Sequence, residues 1–73
     1  MSIEEARKWI DQLREIGNSA AMRAEEARER LAHAEADGDS VLAILLRQHT
    51  KAAEKAAQDV HLACDQMEKH LEP

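Results

Sequence analysis

Ala36-Asp37-Gly38-Asp39-Ser40 divides this chain into two stretches of nearly equal length, and the reading of those five residues decides the fold. Glycine readily takes the left-handed conformation that closes a helix at its C′ position, and Asp39 or Ser40 offers a side-chain oxygen to the open amides of a helix starting there. The stretch therefore reads as a helix stop followed at once by a helix start. Two helices joined so tightly run antiparallel.

On the N-terminal side of the turn, apolar and small residues recur with steps alternating between three and four. The series is Ile3, Ala6, Ile10, Leu13, Gly17, Ala20, Ala24, Ala27, Leu31 and Ala34. Such an unbroken heptad marks a coiled-coil seam. On the C-terminal side the same alternation is carried by Leu42, Leu46, His49, Ala53, Ala56, Val60, Ala63, Met67 and His70, with Ala52, Ala57 and Cys64 widening the strip. Fourteen of the 73 residues are alanine, and the waist of each series is built from them, so the helices are expected to approach at close range. Folding about the turn sets Leu31 opposite Leu45 or Leu46, Ala27 opposite His49, Ala20 opposite Ala56 and Ile10 opposite Met67.

The chain ends agree with this plan. Ser2 followed by Glu5 is a capping box for the first turn, and Pro73 stops the second helix after Glu72. One domain, residues 1–73, is expected: helix about 3–36, turn 37–39, helix about 40–71. Each helix of roughly 33 residues spans ~50 Å at ~1.5 Å per residue. Ile16-Gly17-Asn18-Ser19 is the weak stretch, since glycine costs ~1 kcal/mol inside a helix and Asn and Ser favour caps. A break there makes three helices. The heptad passes through Gly17 without a skip, however, so one helix is expected, with any kink falling near Gly17.

Composition makes the core thin: one Trp, no Phe or Tyr, and 34% charged residues. Domains below ~70–80 residues rarely stabilise themselves without disulfides, metal or oligomerisation, and a single cysteine excludes an internal disulfide. Trp9 and Ile16 flank the first seam, and Val41 to Leu46 is apolar on every side, so it needs cover on every side. These features lead to an expected all-α architecture, an antiparallel helical hairpin that dimerises into a four-helix bundle through an alanine-rich seam. Val41 to Leu46, the longest apolar run, is far shorter than the ~20 residues of a membrane span. No secretory signal is apparent, and a cytoplasmic protein is expected.

Net charge is −5, from ten basic and fifteen acidic residues. Arg7, Arg14, Arg23, Arg28 and Arg30 fall beside the first seam, which suits interhelical ion pairs, while Glu4 with Lys8 and Glu26 with Arg30 have i,i+4 spacing. Acidic residues interleave the arginines too closely for a strong positive field, and only Trp9 offers a stacking ring, which disfavours nucleic acid. His61, Cys64, Asp65 and Glu68 are weak candidates for a metal site, because their spacing places them on neighbouring parts of one helical face. A buried thiol and an exposed imidazole explain the same spacing, so no metal or cofactor is assigned. His49 and His70 occupy seam positions, where a polar residue either fills space or sets register and pH response. No phosphate loop, Ser-His-Asp order, HExxH or CxxC element is present, so no enzyme is expected.

In heptad pattern and size the chain resembles, in outline, the small plasmid RNA-binding four-helix dimers and phage-encoded inhibitors of host proteins. The Trp-x-Gly turn of secreted helical-hairpin proteins is replaced by Asp37-Gly38-Asp39. A non-enzymatic homodimeric adaptor, regulator or inhibitor of another protein is expected, of bacterial or phage composition. Trp9, Ile16, Met22, Ile44, Leu45 and Leu62 are its contact candidates for the partner or the dimer. The alternatives are a Rop-like RNA or DNA binder using the arginine flank and a metal-dependent helical assembly.

Overall fold

A computed structural model describes residues 2–71. Helix α1 spans Ile3–Ala36 and α2 spans Ser40–Leu71, and the two pack along their length as a hairpin in a rod 54 × 14 × 14 Å. Glu72 and Pro73, the expected stop of the second helix, lie outside the described residues.

Local chemistry accounts for both starts and for the turn. The Ser2 hydroxyl accepts a hydrogen bond from the Glu5 N–H at 3.2 Å, the hydroxyl half of the capping box. At the far end of α1, Asp37 N–H donates to His33 O (2.9 Å), Gly38 N–H to Glu35 O (3.2 Å) and Asp39 N–H to Ala34 O (2.9 Å), so carbonyls that the helix leaves open are satisfied. Gly38 has φ +75°. Of the two capping candidates it is Asp39 that acts: its Oδ1 accepts from Leu42 N–H at 3.1 Å.

Gly38→Ala is expected to lower stability by about 1 kcal/mol, the cost of placing a Cβ residue in the left-handed region. A Cβ at Gly38 meets nothing within 4 Å, so the loss reports backbone conformation alone. Urea denaturation midpoints check it, and an unchanged midpoint would remove the left-handed turn.

α1 continues through Gly17 without interruption. A Cβ there would lie 3.0 Å from His61 Nε2 and 3.2 Å from Val60 Cγ1. Gly17 is buried with the His61 and Val60 side chains of α2 packed close over it, and this packing offsets its low helix propensity.

Along α1 the buried set is Ile10, Gly17, Ala24, Ala27 and Ala34, with Ala6, Leu13, Ala20 and Leu31 half-buried. Every one belongs to the expected series. Ile3 departs from it and is 59% exposed, because it lies in the first turn at the open end of the hairpin, where cover comes from one side only.

The seam of α2 requires correction. Leu46, Ala53, Val60 and Met67 are half-buried as the heptad implies, but the alternate positions are Ala43, Thr50, Ala57, Cys64 and half-buried Leu71. Leu42, His49, Ala56, Ala63 and His70, expected in the seam, are exposed, and so is Ala52. α2 is thus rotated by about half of one residue's ~100° step from the expected orientation. His49 does not fill space against Ala27. Burying two imidazoles between alanines desolvates ring nitrogens, whereas the buried Thr50 hydroxyl donates to Leu46 O at 2.8 Å within its own helix.

Candidate interaction surface

The rotation of α2 gives the hairpin two unlike flanks. On one, charged residues next to the seam face each other across the helices. Arg14 Nε donates to Glu68 Oε1 at 3.1 Å and its Nη2 to Asp65 Oδ1 at 2.9 Å. Arg28 pairs with Glu54 through Nε and Nη2, and Arg47 Nη2 lies 3.5 Å from Glu35 Oε1. Hydrogen bonds donated to Asp65 and then to Glu68 hold the Arg14 guanidinium pKa further above its ordinary value. Pairs this exposed contribute little to stability individually, but they distinguish one rotation of α2 from another. The expected i,i+4 pairs Glu4–Lys8 and Glu26–Arg30 are not among the ion pairs of the described residues. Water competes for such exposed ends and little holds them together.

The other flank carries Trp9, Ile16, Arg23 and Arg30 of α1 beside Leu42, His49, Ala56, Ala63 and His70 of α2, each set spaced by sevens. No ion pair crosses it among the described residues. Near the turn a shallow groove runs between the helices there, lined by Arg30, His33, Ala34, Asp37, Asp39, Leu42 and Leu46.

All six contact candidates are exposed: Trp9, Ile16, Met22, Ile44, Leu45 and Leu62, from 49% at Trp9 to 64% at Met22. They do not form one patch. Trp9 and Ile16 lie on the flank without ion pairs, Met22 and Leu62 on the backs of the two helices, and Ile44 against Glu35 and Arg47 beside the turn. Leu42 and Val41 join them as exposed apolar residues. Leu42 was masked in the sequence by its fit to a heptad, and opposite charges next to the alternate column, Glu54 and Glu68 against Arg28 and Arg14, were the signal that could have moved it outward.

His61, Cys64, Asp65 and Glu68 do not come together as a ligand set. Cys64 is fully buried, its thiol 3.7 Å from the Ile10 carbonyl oxygen, while Asp65 and Glu68 turn to Arg14. His61 is half-buried beside Gly17 rather than exposed. Among the described residues no group of three or more His, Cys, Asp or Glu is placed to hold a metal ion. The thiol of Cys64 is expected to react with an aromatic disulfide reagent only at the rate of unfolding, since the closed seam keeps the reagent from the sulfur. Labelling as fast as that of a free thiol in native buffer would contradict the burial.

No helix among the described residues is long and apolar enough to cross a membrane. No protein-family model, curated protein or solved structure matches the chain.

Proposed function

We propose that this chain is a non-enzymatic interaction module of the cytoplasm, which self-associates as a homodimeric four-helix bundle and binds another protein as an adaptor, regulator or inhibitor. One observation carries the reading: about half of the large apolar side chains lie outside the seam. Among the described residues Ile10 is the only large aliphatic residue that is fully buried, Leu13, Leu31, Leu46, Val60, Met67 and Leu71 are half-buried, and Trp9, Ile16, Met22, Val41, Leu42, Ile44, Leu45 and Leu62 are all exposed. Trp9, Ile16 and Leu42 share one flank, where gathered apolar surface supports association, and a core made chiefly of alanine leaves a lone hairpin marginal. Aromatic residues are the commonest anchors of such contacts, which gives Trp9 its weight.

Light scattering should return about twice the 8.2 kDa chain mass. Trp9 is the only aromatic residue among Phe, Trp and Tyr, so its emission should shift to longer wavelength as the protein is diluted. A concentration-independent monomer would remove the self-association half of the proposal. For the protein partner, Ile44→Ser and Met22→Ser should each weaken capture in a variant that stays a folded dimer. Normal capture by both would defeat that half.

Arg23 and Arg30 enter no ion pair among the described residues, and this keeps a second reading, RNA or DNA binding by the arginine flank. It demands the opposite ranking, with the Arg23→Gln, Arg30→Gln double variant losing binding and a steep dependence on salt. The absence of a nucleic-acid mobility shift at low salt would dispose of it.

A further inference from the structure

We infer that the flank without ion pairs is the homodimer face and that a second copy of this chain docks on it with its turn at the opposite end. The inference rests on the self-association proposed above and adds the face and direction of docking.

The occupant follows from size, from the unequal flanks and from symmetry. On the opposite flank, charges on the two helices already answer each other within one chain, at Arg14 with Asp65 and Glu68, Arg28 with Glu54, and Arg47 with Glu35. A second copy there would have to displace or bury those pairs, which costs more than their mutual attraction returns. The flank with Trp9, Ile16 and Leu42 has no ion pair among the described residues to displace, and a partner there has to accommodate Arg23, Arg30, His49 and His70. Ala56 and Ala63 in its middle let another backbone approach. Any long side of the 54 × 14 × 14 Å rod has an outline of roughly 750 Å², so lengthwise docking of a second copy offers surface of the order of the ~800 Å² that each partner contributes to a stable interface.

Symmetry then selects the direction. Reversing α1 about the midpoint of Ile3–Ala36 exchanges Trp9 with Arg30 and Ile16 with Arg23. A two-fold axis crossing the helices therefore lays each arginine of one copy over an apolar residue of the other. A guanidinium is held by the face of an indole, and an arginine stem packs on an aliphatic chain. The same axis exchanges Leu42 with His70 in α2 and brings Ala56 close to Ala56 of the second copy, so the smallest side chain stands where the two copies cross. Docking with both turns at one end sets Arg30 near His49 instead, cation against imidazole, and leaves the indole without its cation.

Single cysteines test this in a Cys64→Ala background, or with Cys64 retained should that background unfold, since the native thiol is sealed in the seam. A56C and A21C are treated with a short bis-maleimide after light scattering and circular dichroism have established mass and helicity. Ala21 lies by the ion-pair flank, in a groove with Arg28 and Glu54. The expected result is a covalent dimer from A56C in at least roughly ten-fold excess over A21C, because proximity at the axis raises the effective thiol concentration. Three results overturn the inference while leaving self-association intact: linkage of A21C alone, equal linkage of both, or linkage of neither in a protein of twice the chain mass. A single-chain mass at every concentration overturns the self-association itself, and the docking face with it.

Discussion

Ile10→Asp is expected to abolish the helical circular dichroism of this protein at neutral pH. Ile10 is 3% exposed, one face against α2 where the Cys64 thiol reaches its carbonyl oxygen. Loss of a buried isoleucine side chain costs about 2–5 kcal/mol through transfer and cavity terms. An unpaired carboxylate in its place adds the cost of desolvating a charge, on the order of several kcal/mol. Small proteins sit at the low end of the roughly 5–15 kcal/mol range of native stabilities, and among the described residues Ile10 is the one large aliphatic residue fully buried in this core. The sum exceeds what a hairpin of this size holds in reserve. Gln12→Asp, at an exposed position of the same helix, keeps the charge change and should leave helicity unaltered. Retention of full helicity by Ile10→Asp would mean that the seam is open to water at this end.

The second large effect concerns the waist, where adding apolar surface should weaken the fold. Ala24 is 1% exposed, and Ala→Leu hardly changes intrinsic helix propensity, so the substitution isolates packing. Ala24→Leu is expected to destabilise by about 1–3 kcal/mol through overpacking, read as a lower urea midpoint at fixed protein concentration, because stability coupled to association depends on concentration. Glu25→Ala, the exposed neighbour, should move stability by less than about 0.5 kcal/mol. A raised midpoint in Ala24→Leu would show a gap between α1 and α2 that the leucine fills.

These two positions were legible in the sequence because α1 admits only one apolar column. Charged residues close it at Arg7, Arg14 and Arg28 on one flank and, in the C-terminal half, at Arg23 and Arg30 on the other. Its orientation was therefore set by pattern alone. The surface candidates were legible for a related reason: Trp9, Ile16, Met22, Ile44, Leu45 and Leu62 are apolar residues that the seam positions do not use, and such residues are left facing outward. Their division among two flanks and two helix backs was not legible, since it follows from how α2 is turned.

Sequence by itself determined everything that is local. Ser2 as a cap, a second cap at Asp39 or Ser40, and Gly38 in the left-handed turn each depend on groups within a few residues, and the continuity of α1 through Gly17 was legible from a period that runs through without a skip. Only tertiary structure decided the rotation of α2. Its residues 42, 49, 56, 63 and 70 and its residues 43, 50, 57, 64 and 71 form adjacent columns that are both largely small or apolar, and both combine with Leu46, Ala53, Val60 and Met67 into an unbroken heptad. Periodicity cannot choose between them, because their burial differs little in apolar area. The choice falls to interactions between helices: Glu54 and Glu68 meet Arg28 and Arg14 only when Ala43, Thr50, Ala57, Cys64 and Leu71 face inward, and the same rotation keeps the imidazoles of His49 and His70 in water.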